Sequence, residues 1–282
     1  MALIIRQMEI TDIYGADEIA RLAFNSPQSR VEDLARFLSF QPGGWLLADM
    51  DGEMAGMVGA VDYGPFASIG MMVVRPELQR RGIGLELMRA ILDWVEQRGC
   101  VQAILEATPA GEPLYTRLGF VPVDVTLRYQ YLGGETGPVI EEKAEVHKAK
   151  WSLSLAEFDA GIFGADRGRI LQRYFDDFPG RSFISCHKNG ELSGYIICRD
   201  NHIGPWLAVQ EYSARRLLED ALRLKYTEGP TVLMPARNDL GIKILEQYGF
   251  VLTRSCTHMV LGGKSSPIRR EFVFGVTSLA LG

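Results

Sequence analysis

The residues best suited to bind a ligand lie between Gly70 and Arg98. Met71-Met72-Val73-Val74 is a short apolar run, which is typical of a buried strand, and Pro76 ends it because proline has no N–H to give. Gln79-Arg80-Arg81-Gly82-Ile83-Gly84 then leads into a segment with apolar residues at helical spacing. The first N–H groups of a helix lack partners, and the helix dipole makes that end positive. Two glycines and two arginines there predict a site for a pyrophosphate group.

Two common phosphate-binding motifs do not fit these residues. A dinucleotide fingerprint needs a third glycine where this sequence has Leu87, and a Walker A loop needs Gly-Lys-Ser/Thr where it has Gly84-Leu85-Glu86. The pattern Val74-x-Pro76, followed by Gln79-x-x-Gly82-x-Gly84, resembles the acyl-CoA loop of the GCN5-related N-acetyltransferases (GNATs). The alternative is an ordinary strand-to-helix turn with two solvated arginines. The resemblance implies that acetyl-CoA binds as a cosubstrate to Met72, Val73, Val74, Gln79, Arg80, Arg81, Gly82, Ile83 and Gly84.

Acetyl transfer to an amine needs a base with a raised pKa, a donor for the carbonyl oxygen and a proton for the departing thiolate. In the family, the tyrosine of a Tyr-x-x-x-Gly-Phe pattern lies beside the CoA sulfur, and Tyr115 fits this pattern. The resemblance therefore implies that Tyr115 is the acid. Glu106 ends a predicted strand and resembles the glutamate of ribosomal-protein alanine acetyltransferases, which makes it the candidate base. Asp62 is a rival base, and Thr108 stands where the family often has an asparagine that contacts CoA.

Composition describes an ordinary globular chain. Its 282 residues suggest about two domains, and 47% hydrophobic residues supply ample core material. The net charge of −5, with no basic block, gives no support for nucleic-acid binding. No run approaches the 18 apolar residues of a membrane span, and no signal peptide is predicted. We expect a cytoplasmic protein, a monomer or homodimer, with a small-molecule or peptide amine as acceptor.

The cysteines do not form a metal-binding pattern. Cys100, Cys186, Cys198 and Cys256 include no C-x-x-C pair and have no histidine cluster nearby, so no metal is expected. They are predicted to be small apolar residues that a reducing cytosol keeps as thiols.

The order of predicted elements repeats along the chain. In each half, strands with a hairpin are followed by a helix, a strand, a short helix and another strand, with turns at Asp51-Gly52 and Asn189-Gly190. Leu114–Phe120 matches Leu245–Phe250, which indicates a duplication. The resemblance implies an α/β (α+β) fold with two tandem GNAT-like domains, each a mixed, mostly antiparallel sheet flanked by helices. We predict an N-terminal acetyltransferase domain over 1–132, a linker over 133–139 and a divergent C-terminal domain over 140–282.

The second half departs from the pattern of the first. Its counterpart of the glycine loop, 207–213, has no glycine and carries Glu211, and Leu245 replaces the tyrosine. It keeps Asn238 where the first half has Thr108. We therefore expect it to have lost phosphate binding and acid catalysis. His202, Trp206, Asp159 and Asp166 are either a substrate wall or structural residues, namely a strand histidine, a core tryptophan and helix-capping acids.

Two functional classes follow from these features. One is an acyl-CoA-dependent N-acyltransferase, an enzyme that moves an acetyl group to an amine by direct attack. The other is a CoA-binding sensor or interaction module without turnover. Tyr115 and Glu106 favour the enzyme.

Overall fold

Apolar strands build a sheet in each half of the chain, and the computed structural model describes residues 2–133 and 145–282. These residues form two compact units: one runs to Leu105 and includes Leu281, and the other runs from Glu106 to Ala280 and includes Gly282. Most of the predicted linker, 134–139, lies outside the described residues. The compact units divide earlier than the predicted domains because Val121–Tyr131 pairs on both edges with strands of the second half.

The first unit is a sheet with strand order β1-β2-β3-β4-β5 and three helices. Neighbouring strands are antiparallel except β4 and β5, which are parallel and are connected by α3. Its elements are β1 (Leu3–Gln7), α1 (Ile13–Phe24), α2 (Val31–Phe40), β2 (Trp45–Met50), β3 (Glu53–Asp62), β4 (Phe66–Val74), α3 (Ile83–Gln97) and β5 (Gln102–Ala107), whose last two residues belong to the second unit.

The second unit repeats this arrangement of elements. Its elements are α4 (Glu112–Arg117), β6 (Val121–Tyr131), β7 (Glu145–Lys148), α5 (Leu153–Phe163), α6 (Gly168–Asp177), β8 (Ser182–Cys186), β9 (Leu192–Cys198), β10 (His202–Ala208), α7 (Glu211–Leu222), β11 (Thr231–Pro235), α8 (Asp239–Gln247), β12 (Phe250–Leu261) and β13 (Val273–Gly275). The strand order is β12-β6-β11-β10-β9-β8-β7, and β13 pairs with β10. Only β10 and β11 are parallel among the described pairs. The predicted fold class, a mixed and mostly antiparallel sheet with helices in each half, is confirmed.

Most predicted elements form, and three details concern their ends. α7 ends at Leu222, and the Tyr226 hydroxyl donates to the carbonyl of Ala221 at that helix end. Near the end of the chain, β13 covers only Val273–Gly275. Asp12 precedes α1, and its carboxylate binds the Arg6 guanidinium and makes no capping hydrogen bond to that helix.

A buried ion pair organises the core of the second unit. Asp159 lies within α5 and receives two hydrogen bonds of 2.9 Å from Arg167 and one from the Tyr195 hydroxyl. Arg167 also donates to Thr277. The ion-paired side chains are at most 3% exposed. Asp159 is thus an ion-pair partner and not the helix-capping residue of the structural alternative.

The other three residues of uncertain role have structural contacts. Asp166 accepts from the N–H of Gly168, the first residue of α6, although the residue at the cap position of that helix is Arg167. His202 contacts the Thr231 hydroxyl and the Val276 carbonyl, and Trp206 is fully buried against Phe274.

We expect Arg167→Met to lower the free energy of unfolding by about 3–5 kcal/mol, because it leaves the Asp159 carboxylate buried without its cation. Asp159→Leu combined with Arg167→Met should recover part of this loss, since no uncompensated charge remains. Urea unfolding of both variants measures the effect. A double variant no more stable than Arg167→Met would contradict this account of the pair.

Candidate active site

The turn before α3 presents unpaired N–H groups. Gly82, the residue before the helix, has φ +87°, and Arg80 has φ +61°, both in the left-handed region. Among the described residues, the N–H groups of residues 80–84 donate to no backbone or side-chain acceptor. Arg80 and Arg81 are exposed and form no ion pair within the described part of the chain. The sequence thus builds a positive concave turn suited to a phosphate group.

Strand β4 contains a bulge just before this turn. Gly70 pairs with Gly59 and Val73 pairs with Met57, so Met71 and Met72 both lie opposite a single β3 residue. Met71 has φ +52°, a strained value for a residue with a side chain. No residue pattern predicts this bulge, because methionine has no preference for left-handed backbone.

The bulge sets which backbone groups of β4 are available. The Arg75 N–H donates to Ala55 in β3, and strand alternation then directs the Val73 N–H to β3 as well. The N–H groups of Met72 and Val74 face away from β3, and the Val74 carbonyl on that side accepts from the Gln79 side chain at 3.2 Å. A ligand beside β4 would therefore meet the backbone groups of Met72 and Val74.

The parallel strands β4 and β5 separate at the bulge. Their pairing runs from Phe66 with Gln102 to Ile69 with Leu105 and stops there. Within the described residues, no third strand pairs with β4 beyond this point. A sheet that opens between two parallel strands exposes backbone donors along β4.

Asp62, the rival base, lies at the opposite end of β4. It pairs with Ala67, about 13 Å along the strand from Met71. Its carboxylate accepts from the Gly64 N–H at 2.7 Å and from the Cys100 thiol at 3.3 Å. These contacts make Asp62 a turn residue, and its position argues against a role as the base.

Glu106 is a buried carboxylate held by two basic side chains of the second unit. Its Oε1 lies 2.9 Å from Nδ1 of His258 and 3.4 Å from Nη1 of Arg270. The Glu106 side chain is 7% exposed, that of His258 1% and that of Arg270 3%. Oε2 of Glu106 is buried and has no hydrogen-bond partner among the described residues. Only one of the two carboxylate oxygens is thus held by partners in the described part of the chain.

The residues around Glu106 lie on facing positions of two strands. In the antiparallel pair of β6 and β12, Asp124 is opposite His258 and Thr126 is opposite Cys256. Arg270 connects them, because Nε donates to Asp124 at 2.6 Å and Nη2 donates to Thr126 at 2.7 Å.

This setting lowers the pKa of Glu106. Burial alone would raise the pKa, but the charges of His258 and Arg270 and the hydrogen bonds from His258 and Thr126 outweigh it. The expectation of a base with a raised pKa is therefore wrong for Glu106. The Glu106 carboxylate also affects a neighbouring thiol, because burial and this negative charge both raise the pKa of Cys256.

Tyr115 lies in α4 with its ring against Gly111 and Phe120. A Cβ on Gly111 would come within 2.9 Å of the ring, so this position must lack a side chain. Burial raises the pKa of Tyr115 to about 12. The hydroxyl has no hydrogen-bond partner in the described ranges, and it stays protonated at neutral pH. The carbonyl of Thr108 starts the same turn by accepting from Gly111 and Glu112.

In the second unit the corresponding gap between parallel strands is filled. β10 pairs with β11 only at His202 and Ile203, after which β13 takes the place beside β10. Val276 also donates to Leu233 of β11. Asn238, retained from the family pattern, gives its amide hydrogen bond to the Val273 carbonyl at 2.9 Å. Its side chain therefore binds the chain's own strand.

Sequence reasoning missed His258, Arg270 and Asp124. Two pairs of residues are spaced two apart in the sequence, Asp124 with Thr126 and Cys256 with His258. This spacing predicts that the members of each pair lie on the same face of their strand. Nothing in the sequence showed that these two strands pair.

Both halves of the chain have counterparts in a known family. Residues 9–120 match the acetyltransferase (GNAT) family, and residues 155–275 match a second acetyltransferase (GNAT) domain model. The chain therefore belongs to the GNAT acetyltransferase family and contains two GNAT domains in tandem, as predicted.

Individual proteins are similar to this chain over different lengths. The uncharacterized N-acetyltransferase YitH of Bacillus subtilis is 25% identical over 162 residues, which cover 57% of this chain and about half, 54%, of YitH. A candidate ribosomal protein bS18-alanine N-acetyltransferase of the same species is 25% identical over 46% of this chain and 89% of its own length. The crystal structure of a candidate acetyltransferase from Pyrococcus horikoshii has a TM-score of 0.87 and 27% identity, and covers 99% of this chain and 96% of that chain.

Two further features are absent from the described residues. None of the helices there is both long and apolar enough to cross a membrane. No group of three or more His, Cys, Asp or Glu side chains in the same residues is placed to hold a metal ion.

The lowered pKa of Glu106 predicts how stability changes with pH. A carboxylate with a lower pKa in the folded state stabilises the fold above its unfolded pKa, and this contribution is lost as pH falls through the folded pKa. Glu106→Gln should therefore be less stable than the wild type above about pH 5, and the difference should narrow at lower pH. The free energy of unfolding is measured with urea at about six pH values between 3 and 7. The control is Glu157→Gln, because Glu157 is exposed. A difference that does not change with pH would contradict the assignment.

Proposed function

We propose that this protein is an enzyme that transfers the acetyl group of acetyl-CoA to an amine of a small molecule or peptide. The observation that carries the proposal is the run of unpaired N–H groups over residues 80–84 at the start of α3. This turn suits the pyrophosphate of CoA, and the Arg80 and Arg81 side chains supply countercharge.

The available groups of β4 fit the remainder of acetyl-CoA. The N–H groups of Met72 and Val74 face away from β3 and would bind the amide-containing arm and the thioester carbonyl oxygen. When bound, acetyl-CoA supplies an activated acetyl group. A strand N–H aimed at the carbonyl oxygen stabilises the negative charge that develops there during attack.

Glu106 would take the proton of the acceptor late in the reaction. Its pKa lies below the ordinary value of 4.5, whereas an alkylamine resembles lysine at about 10.4. Moving a proton from the free ammonium to this carboxylate would cost more than about 8 kcal/mol. A neutral amine must therefore attack, and its nitrogen becomes acidic enough to give a proton to Glu106 only as the bond to carbon forms.

Tyr115 would stabilise the departing sulfur by a hydrogen bond. Its pKa of about 12 exceeds that of a thiol, about 8.5, so complete proton transfer to the thiolate would be uphill by about 5 kcal/mol. The hydroxyl is instead suited to donate to the sulfur while the thiolate takes its proton from Glu106 or from solvent.

We expect one acetyl-CoA per chain. The second unit lacks an equivalent glycine turn, has Glu211 in the first turn of α7 and fills its strand gap with β13. Calorimetric titration with acetyl-CoA measures the stoichiometry, and two sites per chain would overturn this assignment.

The loop itself is tested by an isosteric pair, Gly82→Asn and Gly82→Asp. Asparagine and aspartate both tolerate positive φ better than most residues, so both variants share the backbone strain. Only aspartate adds a negative charge beside the pyrophosphate. We expect at least about 10-fold weaker acetyl-CoA binding in Gly82→Asp than in Gly82→Asn. Equal binding in the two folded variants would show that this turn is not the phosphate site.

Tyr115→Phe should lower kcat by about 10-fold with little change in the affinity for acetyl-CoA, because the hydroxyl acts when charge develops on sulfur. Thiol release with acetyl-CoA and an amine measures kcat, and calorimetry measures affinity. An unchanged kcat, with chemistry shown to limit the rate, would reject the role. Tight binding without acetylation of any amine would favour the CoA-binding sensor.

A further inference from the structure

We propose that His258 and Arg270, which lie in the second GNAT domain, are positioning residues for the base Glu106 of the first. The inference rests on the proposed function, since it assigns these residues to the acetyl-transfer site. Glu106 lies within the first family match, 9–120, and both of its basic partners lie within the second, 155–275. The second domain would then be part of the catalytic apparatus although it has no acetyl-CoA site of its own.

The hydrogen bonds of His258 define its state. Nδ1 is 2.9 Å from Glu106 Oε1, and Nε2 is 3.0 Å from the Ser266 hydroxyl. The Ser266 oxygen also accepts from the Ile268 N–H. An Nδ1–H group that donates to the carboxylate, with Nε2 in hydrogen-bond contact with Ser266, gives both ring nitrogens a partner. Because both ring nitrogens have partners and the side chain is 1% exposed, His258 acts through Glu106 and does not itself touch the acceptor.

Arg270 is in turn fixed by β6. Its guanidinium donates to Asp124, Thr126 and the Val125 carbonyl, so it cannot follow a moving carboxylate. The cation therefore holds Oε1 of Glu106 in one place. Oε2, which has no partner among the described residues, is the oxygen left for the acceptor. An unpaired buried carboxylate oxygen is costly in a purely structural ion pair, which favours a role in binding or transfer.

The resulting step is balanced. The neutral amine attacks the acetyl carbon, the bond from carbon to sulfur breaks with its electron pair going to the CoA sulfur, and the extra proton of nitrogen moves to Glu106 Oε2. The carboxylic acid then returns its proton to the thiolate or to solvent. His258 and Arg270 keep the carboxylate ionised and oriented before the proton arrives.

The charged and titratable groups facing Glu106 come from three segments. They are His258 and Cys256 on β12, Arg270 before β13, and Asp124 on β6 behind Arg270. Burial raises the pKa of Glu106, and the contacts with His258 and Arg270 lower it. Without the His258 donor less of the effect of burial is offset, so Glu106 should gain its proton at a higher pH than in the wild type. A higher pKa of Glu106 in the variant would indicate that positioning is lost, whereas a loss of packing alone would leave that pKa unchanged.

The test compares His258→Asn with His258→Leu in the full chain. Asparagine can place an N–H near the position of Nδ1, whereas leucine fills similar space without a donor. His187→Leu is the matched control, because His187 contacts the Tyr212 hydroxyl in the same unit and not Glu106. The Glu106 carboxyl is titrated by carbon NMR with carboxyl-labelled glutamate, and its signal is assigned by its loss in Glu106→Gln. This readout needs no acceptor.

Activity is measured as thiol release from acetyl-CoA with the best amine from a dipeptide, benzylamine and a diamine. We expect His258→Leu to raise the pH at which Glu106 titrates by at least about one unit and to lower kcat by at least about 10-fold. The KM for acetyl-CoA should not change. His258→Asn should retain a low Glu106 pKa and most of the activity, and His187→Leu should match the wild type.

Two failures can be told apart. If Glu106→Gln lowers kcat but His258→Leu moves neither the titration nor the rate, the positioning role is overturned while the proposed function stands. If no amine is acetylated, or if Glu106→Gln is as active as the wild type, the proposed mechanism fails and with it the role of His258 and Arg270 in transfer. Loss of activity in His258→Leu without a change in the Glu106 titration would also reject the inference, because it would indicate a packing effect.

Discussion

The buried carboxylate of Glu106 is the feature on which the candidate site depends. An isolated anion in this environment would take up a proton, since burial favours the neutral acid. His258 and Arg270 reverse that preference and hold the group ionised. Because both partners are fixed by β6, β12 and the segment before β13, the charge state of Glu106 is a property of the second unit as a whole. The strand pairing of the sheet therefore determines that Glu106 is ionised.

The position of β6 explains how this arrangement arises. β6 follows the Tyr115 segment along the chain, yet both of its edges pair with strands of the second half, β11 and β12. The register with β12 places Asp124 opposite His258, so that Arg270 can contact both Asp124 and Glu106. An independently folding first domain would have no such partners for Glu106. Strand pairing across the two halves thus places the chain from Glu106 to Ala280 in one compact unit.

Sequence reasoning succeeded where the determining interactions are local. The glycine turn, the amphipathic α3, the hairpin turns and the repeat are all set by residues close in sequence, and each was recognised from its pattern. The contacts of Glu106 were not recognised, because His258 is separated from it by 152 positions and Arg270 by 164. The direction of the Glu106 pKa shift was predicted wrongly for the same reason. The sequence pattern indicates that a glutamate at a strand end is buried, but it does not show which distant basic residues contact it. The Met71 bulge was missed because a left-handed methionine carries no propensity signal.

Each half contains a pair of parallel strands that separate partway along their length, but the surroundings of the separated strands differ. A parallel strand pair that opens partway leaves strand-edge donors and acceptors, which must be satisfied by a ligand, by water or by more chain. In the second unit the chain supplies its own strand, and β13 with Asn238 satisfies the edge of β10. In the first unit the edge of β4 ends in a turn whose N–H groups and two arginine side chains have no partner among the described residues, which favours an anionic ligand. The segment that closes the second gap directly follows Arg270, so closing that gap also fixes the cation beside Glu106. The same stretch of chain therefore closes the gap between the strands of the second unit and holds a cation beside Glu106.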